Sequence, residues 1–176
     1  MFVRLRLLLA ALLLTLLASP AAAQVKLTFW GHDRDQNYPH AFITMEGRAG
    51  GRTVNDAIGF TARRITPAVL FGAVPGMLER PSRDYMRRAT TYPTFSVTLD
   101  DAGYARLRAH IARWRALSQP SYDLNRRNCV HFVLEAAAAV GLRVNRQTPH
   151  TQAPRAFLDE LRRLNPQVTP ERRATG

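Results

Sequence analysis

The apolar pattern of this chain changes period at Asp100, and that change limits the folds open to it. Up to Leu99 the clear signals alternate every second residue. In Thr94 to Leu99, for example, Phe95, Val97 and Leu99 fall on one side and Thr94, Ser96 and Thr98 on the other. From Asp100 onward, apolar residues recur at helical spacing. Strands gathered early and helices gathered late predict an α+β domain in which a small antiparallel sheet packs against helices.

Three further strands are expected at Val25 to Trp30, His40 to Met45 and Val54 to Phe60, with a polar loop from Gly31 to Asn37. Glu46 to Thr53, with Gly47, Gly50 and Gly51, reads as a turn between strands. It is not a phosphate cradle, because no Gly-Lys-Ser/Thr ending follows and the run leads into a strand. From Thr61 to Arg88, prolines at 67, 75 and 81 and glycines at 72 and 76 predict a long, partly buried loop or flap. Helices are expected from the Asp100-Asp101 cap to about Leu117, from Asn128 to Val140 before Gly141, and from Pro154 to Asn165 before Pro166.

Residues 1 to 23 have the build of a secretory signal. Arg4 and Arg6 open it, Leu7 to Leu17 form the apolar run, and Ala21 to Ala23 offer a small-residue cleavage site. That run is too short to span a bilayer. The expectation is an exported protein, periplasmic or secreted, with one domain over residues 24 to 166, a loose tail over 167 to 176, and no transmembrane segment once the signal is cleaved. About 150 residues are enough for a single core.

Without the signal, twenty-three cationic residues stand against thirteen acids, a net charge of +10. Lys26 is the only lysine, and the arginines form scattered pairs rather than one stripe with interleaved aromatics. An exported protein seldom meets nucleic acid, so the charge points to solvated faces or to attraction toward an anionic envelope surface.

One cysteine excludes an intrachain disulfide scaffold and an all-cysteine metal cluster. It lies in Asn128-Cys129-Val130-His131-Phe132-Val133, at the head of a predicted helix. Cys129 shares a face with Phe132, Val133, Ala136, Ala137 and Val140, whereas His131, two residues on, points about 200° away and is a poor base for it. A helix N-terminus, with Arg126 and Arg127 upstream, supplies the positive field that favours a thiolate. Among the other histidines, His40 is the best partner, because it opens a strand that is otherwise apolar. His32 falls in the predicted polar loop, His150 precedes the last helix, and His110 reads as structural. Asn55 and Asp56, on the next strand, are the candidates to orient the imidazole. Asn128 and Tyr122 are expected to line the site, Asn128 chiefly as a helix cap. No cofactor and no metal site is implied, since Cys-x-His on a helix splays its ligands.

This hexapeptide, preceded by a histidine on an early strand, resembles the circularly permuted papain-like superfamily. Its lecithin:retinol acyltransferase-like members carry Asn-Cys-Glu-His-Phe-Val, and PPPDE and NlpC-related thiol peptidases are more distant relatives. Val130 stands where the acyltransferase motif has its acid, and Arg52 near where a second histidine is found. The resemblance implies a papain-like fold, Cys129 as nucleophile and His40 as base. It also implies cleavage of an amide or ester in a cell-envelope substrate: a cell-wall peptide, an isopeptide or a lipid acyl group. A non-catalytic envelope-binding protein with the same fold is the alternative reading.

Overall fold

The computed structural model describes residues 23–35 and 38–172. Residues 1–22 of the expected signal lie outside the described residues, as does the end of the expected tail.

Six strands form one antiparallel sheet in the order β4-β3-β2-β1-β5-β6: β1 (Gln24–His32), β2 (His40–Ala49), β3 (Arg52–Ala62), β4 (Gly76–Glu79), β5 (Thr91–Leu99) and β6 (Thr169–Pro170). The helices are α1 (Arg83–Arg87), α2 (Asp101–Arg115), α3 (Cys129–Ala139) and α4 (Pro154–Leu164), with a 3-10 turn at Pro67–Leu70. The domain is therefore α+β, as the change of period at Asp100 predicts.

The strands are longer than alternation alone suggests. β2 and β3 continue through the expected turn and meet at Gly50 and Gly51, whose φ values of 54° and 73° suit a tight hairpin that only glycine adopts without strain. Backbone pairing carries polar residues such as Arg48 and Thr53 into the ladder, where no core contact marks them in advance.

Alternate residues of the central strands build the core. Val25, Leu27 and Phe29 of β1 and Ala41, Ile43 and Met45 of β2 are buried against Val130, Val133, Ala136 and Ala137 of α3 and Phe157, Leu158 and Leu161 of α4. Phe29 stacks on Phe95 at 4.6 Å between ring centroids, joining β1 to β5. At roughly 1.5 to 3 kcal/mol per large apolar side chain, this cluster fixes the sheet against the helices. The first turn of α2 is capped by Asp100, which accepts from the Gly103 N–H at 2.7 Å.

Three local expectations are corrected. The segment from Thr61 to Arg88 is not one loop, since it contains the 3-10 turn, β4 and α1. His32 is the last residue of β1, fully buried opposite His40, because Thr91 Oγ1 at 2.8 Å and Asp35 Oδ1 at 3.2 Å supply partners for its ring. Residues 168 to 171 are held down: Val168 is buried, β6 pairs with Phe95 and Ser96, and Glu171 accepts from Ser96 and Lys26 at 2.7 Å each.

Candidate active site

The site is assembled by one helix start and three strand positions. α3 begins at Cys129 because Asn128 ends the preceding loop in an extended conformation and caps the helix. Its Oδ1 accepts from the Val130 N–H at 2.9 Å and the His131 N–H at 3.3 Å. Its amide group donates to the carbonyls of Leu124 and Thr151, each at 2.7 Å. The buried Asn128 side chain is thereby fully committed to structure, with neither N–H left for a reacting oxygen. His131 completes the capping box through Nδ1, which lies 3.3 Å from the Asn128 N–H. Burial depresses its pKa, so the ring is a neutral acceptor suited to that role.

The arrangement frees the first residue of the helix. Cys129 is buried but faces a cleft of about 640 Å³, whose wall also includes His40, Phe60, Glu79, Tyr85 and Tyr122. His40 and Cys129 share this wall within hydrogen-bonding reach of each other. The imidazole also meets an acid: Nε2 lies 2.6 Å from Glu79 Oε1. At that separation a protonated ring and the carboxylate form an ion pair. Burial disfavours the charged ring, but the sulfur of Cys129 and then the carboxylate of Glu79 outweigh it. The His40 pKa is pushed up to about 10.

Register explains how Glu79 arrives there. Glu79 of β4 pairs with Gly59 of β3, which in turn pairs with Phe42 of β2, so the three form a row across the sheet. Phe42 is two residues from His40 and stacks on its ring at 6.0 Å. Gly59 leaves the gap through which the ring reaches the acid.

Asn55 and Asp56 do not take the orienting position expected for them. Asn55 pairs with Glu46 and Asp56 with Met45, and five residues of strand separate Met45 from His40, about 17 Å. Asp56 pairs instead with Arg80, at 3.2 Å from Nε. Glu79 was legible only as the one acid between Asp56 and Asp84. Asn128 and Tyr122 do line the cleft. The phenols of Tyr85 and Tyr122 are held protonated, mainly by burial and further by acidic neighbours such as Glu79. Both therefore remain hydrogen-bond donors beside the sulfur.

Among the described residues no group of three or more His, Cys, Asp or Glu side chains is arranged to hold a metal ion, and no helix is long and apolar enough to cross a membrane. A thiol, an imidazole and a carboxylate in contact in an open cleft form a set suited to nucleophilic attack with proton transfer. The chain matches no family model, no curated protein and no solved structure.

Proposed function

We propose that this protein is an exported cysteine hydrolase of the permuted papain-like type, acting on an amide or ester bond of a cell-envelope substrate. Cys129 is the nucleophile, His40 the proton carrier and Glu79 the residue that positions the imidazole. The observation that carries this reading is the contact chain from Cys129 to His40 to Glu79 along the wall of one cleft. The chain order, histidine strand before cysteine helix, agrees with the permuted arrangement.

In the first step the sulfur of Cys129, as thiolate beside the His40 imidazolium, bonds to the substrate carbonyl carbon. His40 then gives its proton to the leaving amine or alcohol as that bond breaks, and a thioester remains. A water molecule, or another hydroxyl or amine in an acyltransferase variant of the reaction, loses its proton to His40 and attacks the thioester. Collapse of that intermediate releases the acid or new acyl product and restores the thiolate and imidazolium. The negative charge on the carbonyl oxygen falls near the start of α3, where the Cys129 N–H is not used by the cap.

Alkylation by iodoacetamide at pH 6 to 7 tests the reading. Fast modification of Cys129 that slows at least about tenfold in His40→Ala supports an activated thiol. Equal, slow modification in both proteins would favour a non-catalytic envelope-binding protein.

A further inference from the structure

From Ala57 to Leu78 the chain carries no acid, and its only charged residues are Arg63 and Arg64. This stretch leaves the sheet after β3 and returns as β4, projecting a short hairpin beside the mouth of the cleft. Its apolar side chains are turned outward. Ile65 is 53% exposed, Leu70 66% and Phe71 87%. Single exposed apolar residues are ordinary, but three on one small projection, next to two exposed arginines with no ion pair among the described residues, form a defined surface.

The tip of the projection is closed by the 3-10 turn at Pro67–Leu70. Val69 donates to the Thr66 carbonyl at 3.1 Å, Phe71 to that of Ala68 at 3.0 Å, and Pro67 has no N–H to satisfy. Its base is tied to the body of the domain. Arg63 donates to the Pro75 carbonyl at 2.8 Å, and Val74 pairs with Tyr122 in the loop that leads to Cys129. The apolar tip is thus mounted on a fixed stem, with its cationic pair at the root.

We infer that this hairpin is a docking element for an anionic lipid bilayer: Leu70 and Phe71 enter the boundary between headgroups and acyl chains while Arg63 and Arg64 meet the anionic headgroups. The charge pattern selects this occupant, because the tip is apolar and its flank purely positive. Ile65, Val69 and Leu70 also line the cleft, so a docked molecule holds the cleft mouth at the membrane surface. The inference stands apart from the proposed chemistry, since binding makes no use of the thiol.

The test is made in the full chain with Cys129→Ala, which removes the only native thiol and the proposed reaction together. An environment-sensitive fluorophore is attached at Phe71→Cys and, separately, at Arg108→Cys on the exposed side of α2. With phosphatidylglycerol vesicles the label at 71 should brighten about twofold or more and shift to the blue, while that at 108 stays constant. Phosphatidylcholine vesicles should give much weaker binding, and Arg63→Glu with Arg64→Glu should weaken partitioning into phosphatidylglycerol vesicles by about tenfold or more. High salt should act in the same direction. The inference is overturned if the label at 71 ignores the vesicles, if both labels respond alike, or if the arginine changes leave binding intact. A response that follows protein concentration without vesicles would assign the surface to a second copy of the chain and overturn it equally.

Discussion

The ring of His40 occupies space that Gly59 leaves empty: a Cβ at residue 59 would stand 2.6 Å from His40 Nε2 and 3.2 Å from Glu79 Oε1. The backbone at Gly59 lies outside the left-handed region, so the residue is required for its missing volume and not for its φ. Gly59→Ala should push the imidazole away from the acid and the sulfur. The expected result is a loss of iodoacetamide reactivity at Cys129 of about tenfold or more, with a destabilisation of roughly 1 to 3 kcal/mol. Wild-type reactivity in this variant would separate the ring position from thiol activation.

The His40 environment sets a pH dependence. Its folded pKa, about 10, lies above the ordinary value of 6.5, so the stabilising contribution is complete below pH 6.5 and is lost as pH rises through 10. Thermal unfolding should therefore show wild type losing stability over that window relative to His40→Asn. Glu79→Gln keeps the shape but removes the charge, and the His40 midpoint measured by NMR should fall by about one pH unit or more. A midpoint that does not move would exclude Glu79 as an electrostatic partner.

Asn128 holds four groups at once, two helix N–H donors and two loop carbonyls. Asn128→Ala should cost about 2 kcal/mol or more in urea unfolding, the sum of a lost cap and two carbonyls left without donors. Asn128→Asp retains the cap oxygen but sets a carboxylate against the carbonyls of Leu124 and Thr151, and should cost roughly 1 to 3 kcal/mol. If both variants unfold like wild type, this side chain does not hold the loop.

His110 is the opposite case from His40. Its ring is fully buried on α2, packed on Phe132 at 4.9 Å and Trp114 at 5.9 Å, and neither nitrogen makes a well-formed hydrogen bond among the described residues. Burial, then the charge of Arg113, pushes its pKa down to about 4. Because the folded value lies below 6.5, stability is complete above pH 6.5 and declines as pH falls toward 4. His110→Phe should add about 1 kcal/mol at neutral pH, with a gain that grows on acidification. Parallel pH curves for the two proteins would contradict this account.

The sequence made the helices and the two ends of the proposed dyad readable, because each depends on local signals. Asp100 and Asn128 are strong caps, and an apolar strand opening on a histidine marks His40. What local signals omit is lateral register. The hairpin at Gly50 and Gly51 makes Ala49 face Arg52, and continuing outward brings His40 level with Thr61, six and five residues beyond Asn55 and Asp56. The position of Glu79 depends on one more pairing, through a strand only four residues long and masked by neighbouring prolines and glycines. The polar-loop placement of His32 fails for a related reason: the partners that let it be buried, Thr91 and Asp35, come from outside its own strand.

The two-residue strand at Thr169 and Pro170 has a consequence for the whole molecule. It occupies the free backbone of Phe95 and Ser96, and the Glu171 N–H adds a bond to the Thr94 carbonyl at 3.1 Å. Bare sheet margins recruit strands from other molecules, and proline has no N–H to offer a newcomer. A short end segment with no part in the cleft thus blunts one flank of the sheet against amyloid-like stacking.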